Sequence, residues 1–370
     1  MSKAHVTARP SVATATRQPN HHRVQQLRRR IVAWLIGKVF PSAPNEVSEV
    51  SEGTLPHTGI QRVLVCRPNH RLGNTVLTTP LIAELERWYP GAEVDVLSAG
   101  PAASSVYGAY AAMGEIYALD RRAIRHPWAT WRTLGALRTK RYDLVIDAAS
   151  GSSSGRLVTA MVRARFRIGV GSTAHGAPMH LAARPVHALR RALGVPMGTT
   201  VPSLDLRLSE TERASGRATL NRVLKVQATS DARVLAIFPN ATGAKRYDQT
   251  WWTTFLAELD RAAGPFRIVE LVAADGASRV GNLYPTYFTS DPRKLASFID
   301  AAGLYVSADC GVMHLAAATT AQTIGLFAKT DPSRYAPYGP GNTALWTGDD
   351  GAATVAHRAA GHILRRRHSD

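Results

Sequence analysis

The chain has 370 residues, 45% of them hydrophobic, with a formal charge of +18. That length accommodates two α/β domains that each bury a core, and the composition excludes a disordered polymer. The two cysteines, Cys66 and Cys310, are too few for a disulfide framework and too far apart for a paired metal motif, and no apolar run approaches the ~18 residues that a bilayer span requires.

The charge is unevenly spread. Residues 1–59 hold 8 Lys/Arg against 3 acids, 60–228 hold 23 against 11, 229–350 hold 10 against 12, and 351–370 hold 4 against 1. A basic first part and a near-neutral second part imply two domains with different partners, one of them polyanionic.

In chain order, residues 1–44 contain no acid and read as a disordered basic arm, the alternative being a transit peptide. Within them Leu27, Ile31, Leu35 and Val39 recur at helical spacing from Val24 to Phe40, with Arg28, Arg29, Arg30 and Lys38 around them. Such a helix either lies on an anionic membrane surface or packs on its own protein. The arm is taken to end at 59. A domain over 60–208 opens with a strand at Arg62–Cys66, the loop Arg67–Gly73, and one helix from Asn74 to Trp88. Strands at Val94–Leu97 and Leu144–Ile146 alternate with helical patterns at Trp128–Leu137 and Arg156–Val162. That alternation predicts a parallel sheet covered on both faces. Residues 171–200, rich in Gly, Pro and His, read as an irregular loop.

Ser209 and Glu212 form a capping-box pair that starts a connector helix over 209–228. The same grammar restarts over 229–350: a strand at Val234–Phe238, a helix at Trp251–Ala262, a strand at Arg267–Val272, and a helix capped by Asp291 with Pro292 at its first position. A strand at Leu304–Ser307, a helix at Gly311–Ala318 and a strand at Thr323–Phe327 complete it, and 351–370 reads as a basic tail. Two such domains imply a cleft at the carboxyl ends of their strands.

Two loops carry candidate chemistry. In Ala308-Asp309-Cys310-Gly311-Val312-Met313-His314 a strand gives way to a helix, Gly311 permits close backbone approach, and His314 sits on the first turn. The pattern suits a nucleotide diphosphate, or is an ordinary helix start with an incidental His. In Pro239–Lys245, Thr242, Gly243 and Lys245 offer a hydroxyl, a pliable backbone and a cation to phosphate oxygens, without the spacing of a P-loop.

These pieces resemble glycosyltransferase family 9, the heptosyltransferases of lipopolysaccharide assembly. The resemblance rests on Val63–Arg67 with Leu72–Leu81, on Tyr142–Asp147, on the Thr242/Lys245 loop, and on the Asp-x-Gly-x-x-His-x-Ala-Ala run from Asp309 to Ala317, in family order over about 60–345. It implies an α/β GT-B fold of two Rossmann-like, doubly wound domains, an acceptor-binding one followed by a donor-binding one. It further implies inverting, metal-independent and cofactor-free transfer from a nucleotide sugar, typically ADP-heptose. Thr242, Lys245, Asp309, Cys310, Gly311 and His314 would then bind the donor, and Arg67, Arg71, Gly73 and Arg156 the acceptor. The partners implied are a nucleotide sugar, an anionic glycolipid and an anionic membrane surface, with the enzyme cytoplasmic and peripheral at the inner face of the bacterial inner membrane. Nucleic acid is not expected, because no helix-turn-helix, zinc or RNP signature accompanies the basic residues.

One departure stands out. Where the family has an aspartate, thought to be the general base, this chain has Asn74. An amide orients a hydroxyl but takes no proton at neutral pH. His70, of a residue type that titrates near neutrality, and Asp147 are the other candidates. The alternatives are a different nucleotide sugar, or a weak or non-catalytic glycan-binding homologue.

Overall fold

The structure, a computed structural model, describes residues 48–119, 127–149, 158–159, 161–169, 176–196, 200–225, 233–348 and 350–367. The arm helix expected at 24–40 and the acceptor candidate Arg156 lie outside the described residues.

The first half contains β1 (Ser48–Glu49), β2 (Arg62–Arg67), α1 (Leu72–Val76), α2 (Thr79–Trp88), β3 (Glu93–Ser98), α3 (Ala102–Tyr107), β4 (Met113–Ala118), α4 (Pro127–Thr139), β5 (Arg141–Asp147), β6 (Arg163–Gly169) and α5 (Ala183–Leu193). Its sheet runs β1-β6-β5-β2-β3-β4, every pair parallel. The second half follows the connector helix α6 (Glu210–Leu224). It contains β7 (Arg233–Phe238), α7 (Gln249–Ala263), β8 (Phe266–Leu271), β9 (Thr286–Tyr287), α8 (Pro292–Ala302), β10 (Gly303–Ala308), α9 (Gly311–Ala317), β11 (Gln322–Phe327), α10 (Pro332–Tyr335), β12 (Thr343–Trp346) and α11 (Ala352–Arg367). Its sheet runs β12-β11-β10-β7-β8-β9, again parallel. Central strands such as Val63-Leu64-Val65-Cys66 are buried on both faces, so they are unbroken apolar runs without alternation.

Three expectations change. The single helix at Asn74–Trp88 is two, because Pro80 has no N–H to give Val76; the Thr79 hydroxyl donates to that carbonyl instead, at 2.8 Å. Residues 171–200 are not all irregular: α5 packs Val186, Leu189 and Leu193 into the core and ends at Gly194, which adopts φ 71°. It also buries Arg190, whose Nε lies 2.6 Å from Glu84 Oε1 and whose Nη2 reaches Glu84 Oε2 at 3.0 Å. The segment read as a basic tail is helical from Ala352 to Arg367, and its apolar face of Val355, Ala356, Ala359, Ala360 and Ile363 joins Trp252, Phe255 and Leu259 in the second core.

Apolar packing is continuous between the halves. The first core includes Ala296, Leu315, Ala317 and Ala318 from the second. Polar contacts fix the same junction. Arg293, in the first turn of α8, gives a bidentate pair to Glu212 and donates from Nη1 to Ser105 O (2.9 Å) and Leu206 O (3.0 Å) and from Nη2 to Arg207 O (3.2 Å). Glu212 at the same time closes the capping box, accepting Ser209 N–H at 2.8 Å. The connector helix lies against α8 so closely that a Cβ on Gly216 would stand 2.2 Å from Ser297 O.

Candidate functional site

In each sheet the strand order reverses at one place, between β2 and β5 in the first and between β7 and β10 in the second. Crevices at the carboxyl ends of such switch points are where open α/β sheets bind ligands. Arg67 is the last residue of β2 and Asp147 the last of β5; Pro239–Lys245 follows β7, and Asp309 follows β10.

The two sets meet. A Cβ on Gly73 would stand 2.7 Å from His314 Cδ2 and 3.2 Å from Gly311 Cα, and one on Gly311 would stand 3.3 Å from Gly73 N. Any side chain at either glycine would push the first turn of α1 away from the first turn of α9. Asn74, half-buried, is the third residue of α1, and its carbonyl accepts the Thr78 hydroxyl at 3.1 Å.

On the second side, Asp309 is 5% exposed and its Oδ2 accepts from Lys245 Nζ at 2.5 Å and from Thr330 Oγ1 at 2.7 Å. Lys245 remains half-buried in a single 3-10 turn, Gly243–Lys245, that opens with Gly243 at φ 63°. Thr242 precedes it, exposed and with no capping bond. His314 is buried and its Nδ1 makes no hydrogen bond. Burial holds its imidazole down at about 4; Asp309 opposes that shift, while His180 and Lys245 add to it. His314 is therefore neutral near pH 7, with a free ring nitrogen beside a lysine–carboxylate pair. Cys310 is the N-cap of α9, its sulfur 3.7 Å from Ser307 Oγ, and burial pushes its thiol up, away from nucleophilic use.

On the first side, Arg67 is buried; its Nη1 donates to Ala148 O and its Nε makes no hydrogen bond. Burial lowers the pKa of this guanidinium, and neighbouring Tyr107, Asp147 and Tyr335 counteract the shift. Asp147 is buried, and its Oδ1 accepts Ala149 N–H at 3.0 Å. Arg71 is exposed, caps α1 with its backbone, and takes Asn69 Oδ1 at 2.9 Å on its N–H. His70 is exposed, its Cα 3.3 Å from where a Gly100 Cβ would be. The structure thus gathers Gly73, Gly311, His314, Asp309 and Lys245 in one place and sets Arg67 beside Asp147.

Two contributors escape sequence reasoning. Thr330 lies 21 residues from Asp309 in a segment with no motif. His180 precedes α5: its Nε2–H donates to Ala336 O at 2.9 Å, its Nδ1 accepts Ala182 N–H at 3.2 Å, and its ring stacks on Tyr338 at 4.6 Å. Those bonds settle its tautomer, and burial lowers its pKa. Among the described residues no cluster of three His, Cys, Asp or Glu is arranged to hold a metal ion.

Comparison with known proteins supplies the context. Residues 291–360 match the profile of glycosyltransferase family 9 (heptosyltransferase). Lipopolysaccharide heptosyltransferase 3 of Escherichia coli (strain K12) is 26% identical over 311 residues, which cover 75% of this chain and 86% of that protein. The E. coli heptosyltransferase WaaC, solved with ADP, superposes with a TM-score of 0.63 at 19% identity, over 83% of this chain and 99% of that one. A family 9 glycosyl transferase from Veillonella parvula gives 0.67 at 16% identity, over 84% and 98%. E. coli ADP-heptose lipopolysaccharide heptosyltransferase II gives 0.61 at 18%, over 83% and 100%. The three solved structures share the fold, two Rossmann-like domains in the GT-B arrangement. The family profile at 291–360 and the E. coli heptosyltransferase 3 alignment thus make this chain similar to glycosyltransferase family 9, whose solved members share its fold.

Proposed function

We propose that this glycosyltransferase moves a heptose from ADP-heptose to a lipopolysaccharide core acceptor, with inversion at the anomeric carbon. The observation that carries the reading is the meeting of the two switch points, where Gly73 touches Gly311 and His314 beside the Lys245–Asp309 pair. The names of similar proteins support the donor: WaaC was solved with ADP and with ADP-2-deoxy-2-fluoro heptose.

In such a transfer the bond from the anomeric carbon to the diphosphate breaks as the acceptor oxygen attacks the opposite face. Negative charge grows on the departing diphosphate, and Lys245, held in place by Asp309, offsets it there. Thr242 and the Gly243 turn offer a hydroxyl and backbone to the same oxygens. His314, neutral, supplies a hydrogen bond without competing for the charge. Asn74 orients the acceptor hydroxyl. Asp147 is the better candidate to take its proton: it ends β5 at the acceptor switch point beside Arg67, whereas His70 is exposed and packed on Gly100.

The test is a thermal-shift panel of nucleotide sugars followed by transfer to heptose-truncated lipopolysaccharide by wild type, Asn74→Asp, His70→Ala and Asp147→Asn. ADP-heptose is expected to stabilise most, and Asp147→Asn to abolish transfer while still binding donor. Equal stabilisation by all sugars would refute the donor; absent transfer and hydrolysis in wild type, restored by Asn74→Asp, would show a binding protein that has lost its base.

A further inference from the structure

The crossover helix α4 carries a feature that no part of the transfer site uses. Its inner face buries Leu134 and Leu137, while its outer face leaves Trp128 81% and Trp131 53% exposed. The two indoles lie edge to face with ring centroids 6.2 Å apart, so they form one aromatic patch. Arg132, also exposed, stands one turn beyond Trp128. Residues 127–141 contain Arg132, Arg138, Lys140 and Arg141 and no acid.

Their place in the fold follows from topology. In a parallel sheet every strand ends at the same edge, and a helix that follows a strand starts from that edge. β4 ends at Ala118 and α4 begins at Pro127, so Trp128 and Trp131 sit on the first turns of a helix that starts at the edge where Arg67 and Asp147 lie. Tryptophan places an apolar ring and a polar N–H at a membrane–water boundary, and basic residues beside it are drawn to anionic headgroups. Large exposed indoles are otherwise costly to leave in water.

We propose that the outer face of α4, through Trp128, Trp131 and Arg132, docks this enzyme on an anionic lipid bilayer, with the acceptor side of the cleft turned to the surface. The charge match selects this occupant: among the charged residues of the segment all are basic, and residues 60–228 around it hold 23 Lys/Arg against 11 acids. Docking there brings a glycan anchored in the bilayer to the switch point of the first sheet. This step rests on the proposed acceptor, but binding to lipid needs neither donor nor acceptor, so each can fail without the other.

The experiment is co-sedimentation of the full chain with vesicles of 3:1 phosphatidylethanolamine:phosphatidylglycerol or of phosphatidylcholine alone. Wild type is compared with Trp128→Ser/Trp131→Ser and with Arg132→Glu, and brominated lipid is included to quench inserted indoles. Both variants change exposed side chains, and melting temperature confirms that they fold. Wild type is expected to bind the anionic vesicles and be quenched, and the double variant to lose at least tenfold in partitioning. Arg132→Glu is expected to weaken binding to the anionic vesicles and to leave the remainder less sensitive to salt. Binding that is equal in wild type and the double variant, which would assign it to the basic arm, overturns the proposal. So does an absence of vesicle binding, including the case in which wild type sediments as a dimer that the double variant dissolves.

Discussion

Replacing Arg293 by alanine removes a guanidinium whose N–H groups all point at acceptors on three segments around α8: Ser105 in α3, Leu206 and Arg207 in the linker, and Glu212 in the connector helix. The bond from Arg293 is the largest cause holding the Glu212 carboxyl at about 2, against an ordinary 4.5. At 1.36 kcal/mol for each tenfold change in dissociation, the whole displacement corresponds to roughly 3 kcal/mol. Ser209 supplies part of it and the Glu212 side chain is 30% exposed, which leaves about 1–2 kcal/mol for Arg293. Three carbonyls losing a donor add about 0.5–1.5 kcal/mol each. Arg293→Ala is thus expected to cost about 3–5 kcal/mol at pH 7, and Arg293→Lys, which keeps the charge but not the fork, roughly half of that. The sign with pH is fixed as well. A carboxyl depressed in the folded state stabilises it above its unfolded value and loses that contribution as pH falls through the folded one. The gap between wild type and variant should therefore narrow between pH 4.5 and about 2. Urea melts at pH 7, 4 and 3 measure it; a variant within about 0.5 kcal/mol of wild type at pH 7, or a gap that does not change on acidification, refutes the reasoning.

Gly73→Ala puts a methyl 2.7 Å from His314 Cδ2, so the two first turns must part. A displacement of that order is expected to cut transfer about 100-fold with little change in melting temperature, and an unimpaired initial rate would contradict it. Asp309→Asn weakens the hold on Lys245 and Thr330; nucleotide affinity measured by calorimetry should fall about 10–100-fold, with Lys245→Met no milder. His314 titrates at about 4 in the fold and nearer 6.5 unfolded, so the stability it contributes is complete above 6.5 and is lost as pH falls toward 4. His314→Gln, which cannot titrate, should flatten that stretch of the melting-temperature curve; an unchanged slope would argue against a buried neutral imidazole.

What was legible in the chain has a common physical form. Parallel strands covered on both faces are continuous apolar runs, and the loops that follow them carry glycine where backbones must come close, so Gly73, Gly311 and the Lys245 turn are visible as residues. Local capping chemistry is visible for the same reason, as the Ser209–Glu212 and Asp291–Pro292 starts show. Elements stay hidden where burial is polar or one-sided. α5 conceals its core face behind Arg190, which is tolerable there only because Glu84 meets it 106 residues away. β6 reads as charged because Arg163 and Arg165 point outward from a strand toward the edge of the sheet. The terminal helix hides behind the arginines at its end. Thr330, His180 and Arg293 act only through partners remote in sequence, and no local pattern announces such a meeting.

The contact between Gly216 and the Ser297 carbonyl leaves no room for a side chain between the connector helix and α8. Those two helices consequently pack as one piece, although the connector comes before the second sheet in the chain. Leu220 of the connector helix is buried with Phe298 and Ile299 of α8, so by packing that helix belongs with the second half. The packing boundary between the halves accordingly lies before Ser209, where Arg207 holds the unusual φ of 48° and where Arg293 grips two successive carbonyls. The structural boundary is thus upstream of the one that the change of sequence pattern suggests, and Arg293, which fastens it, belongs to the second half.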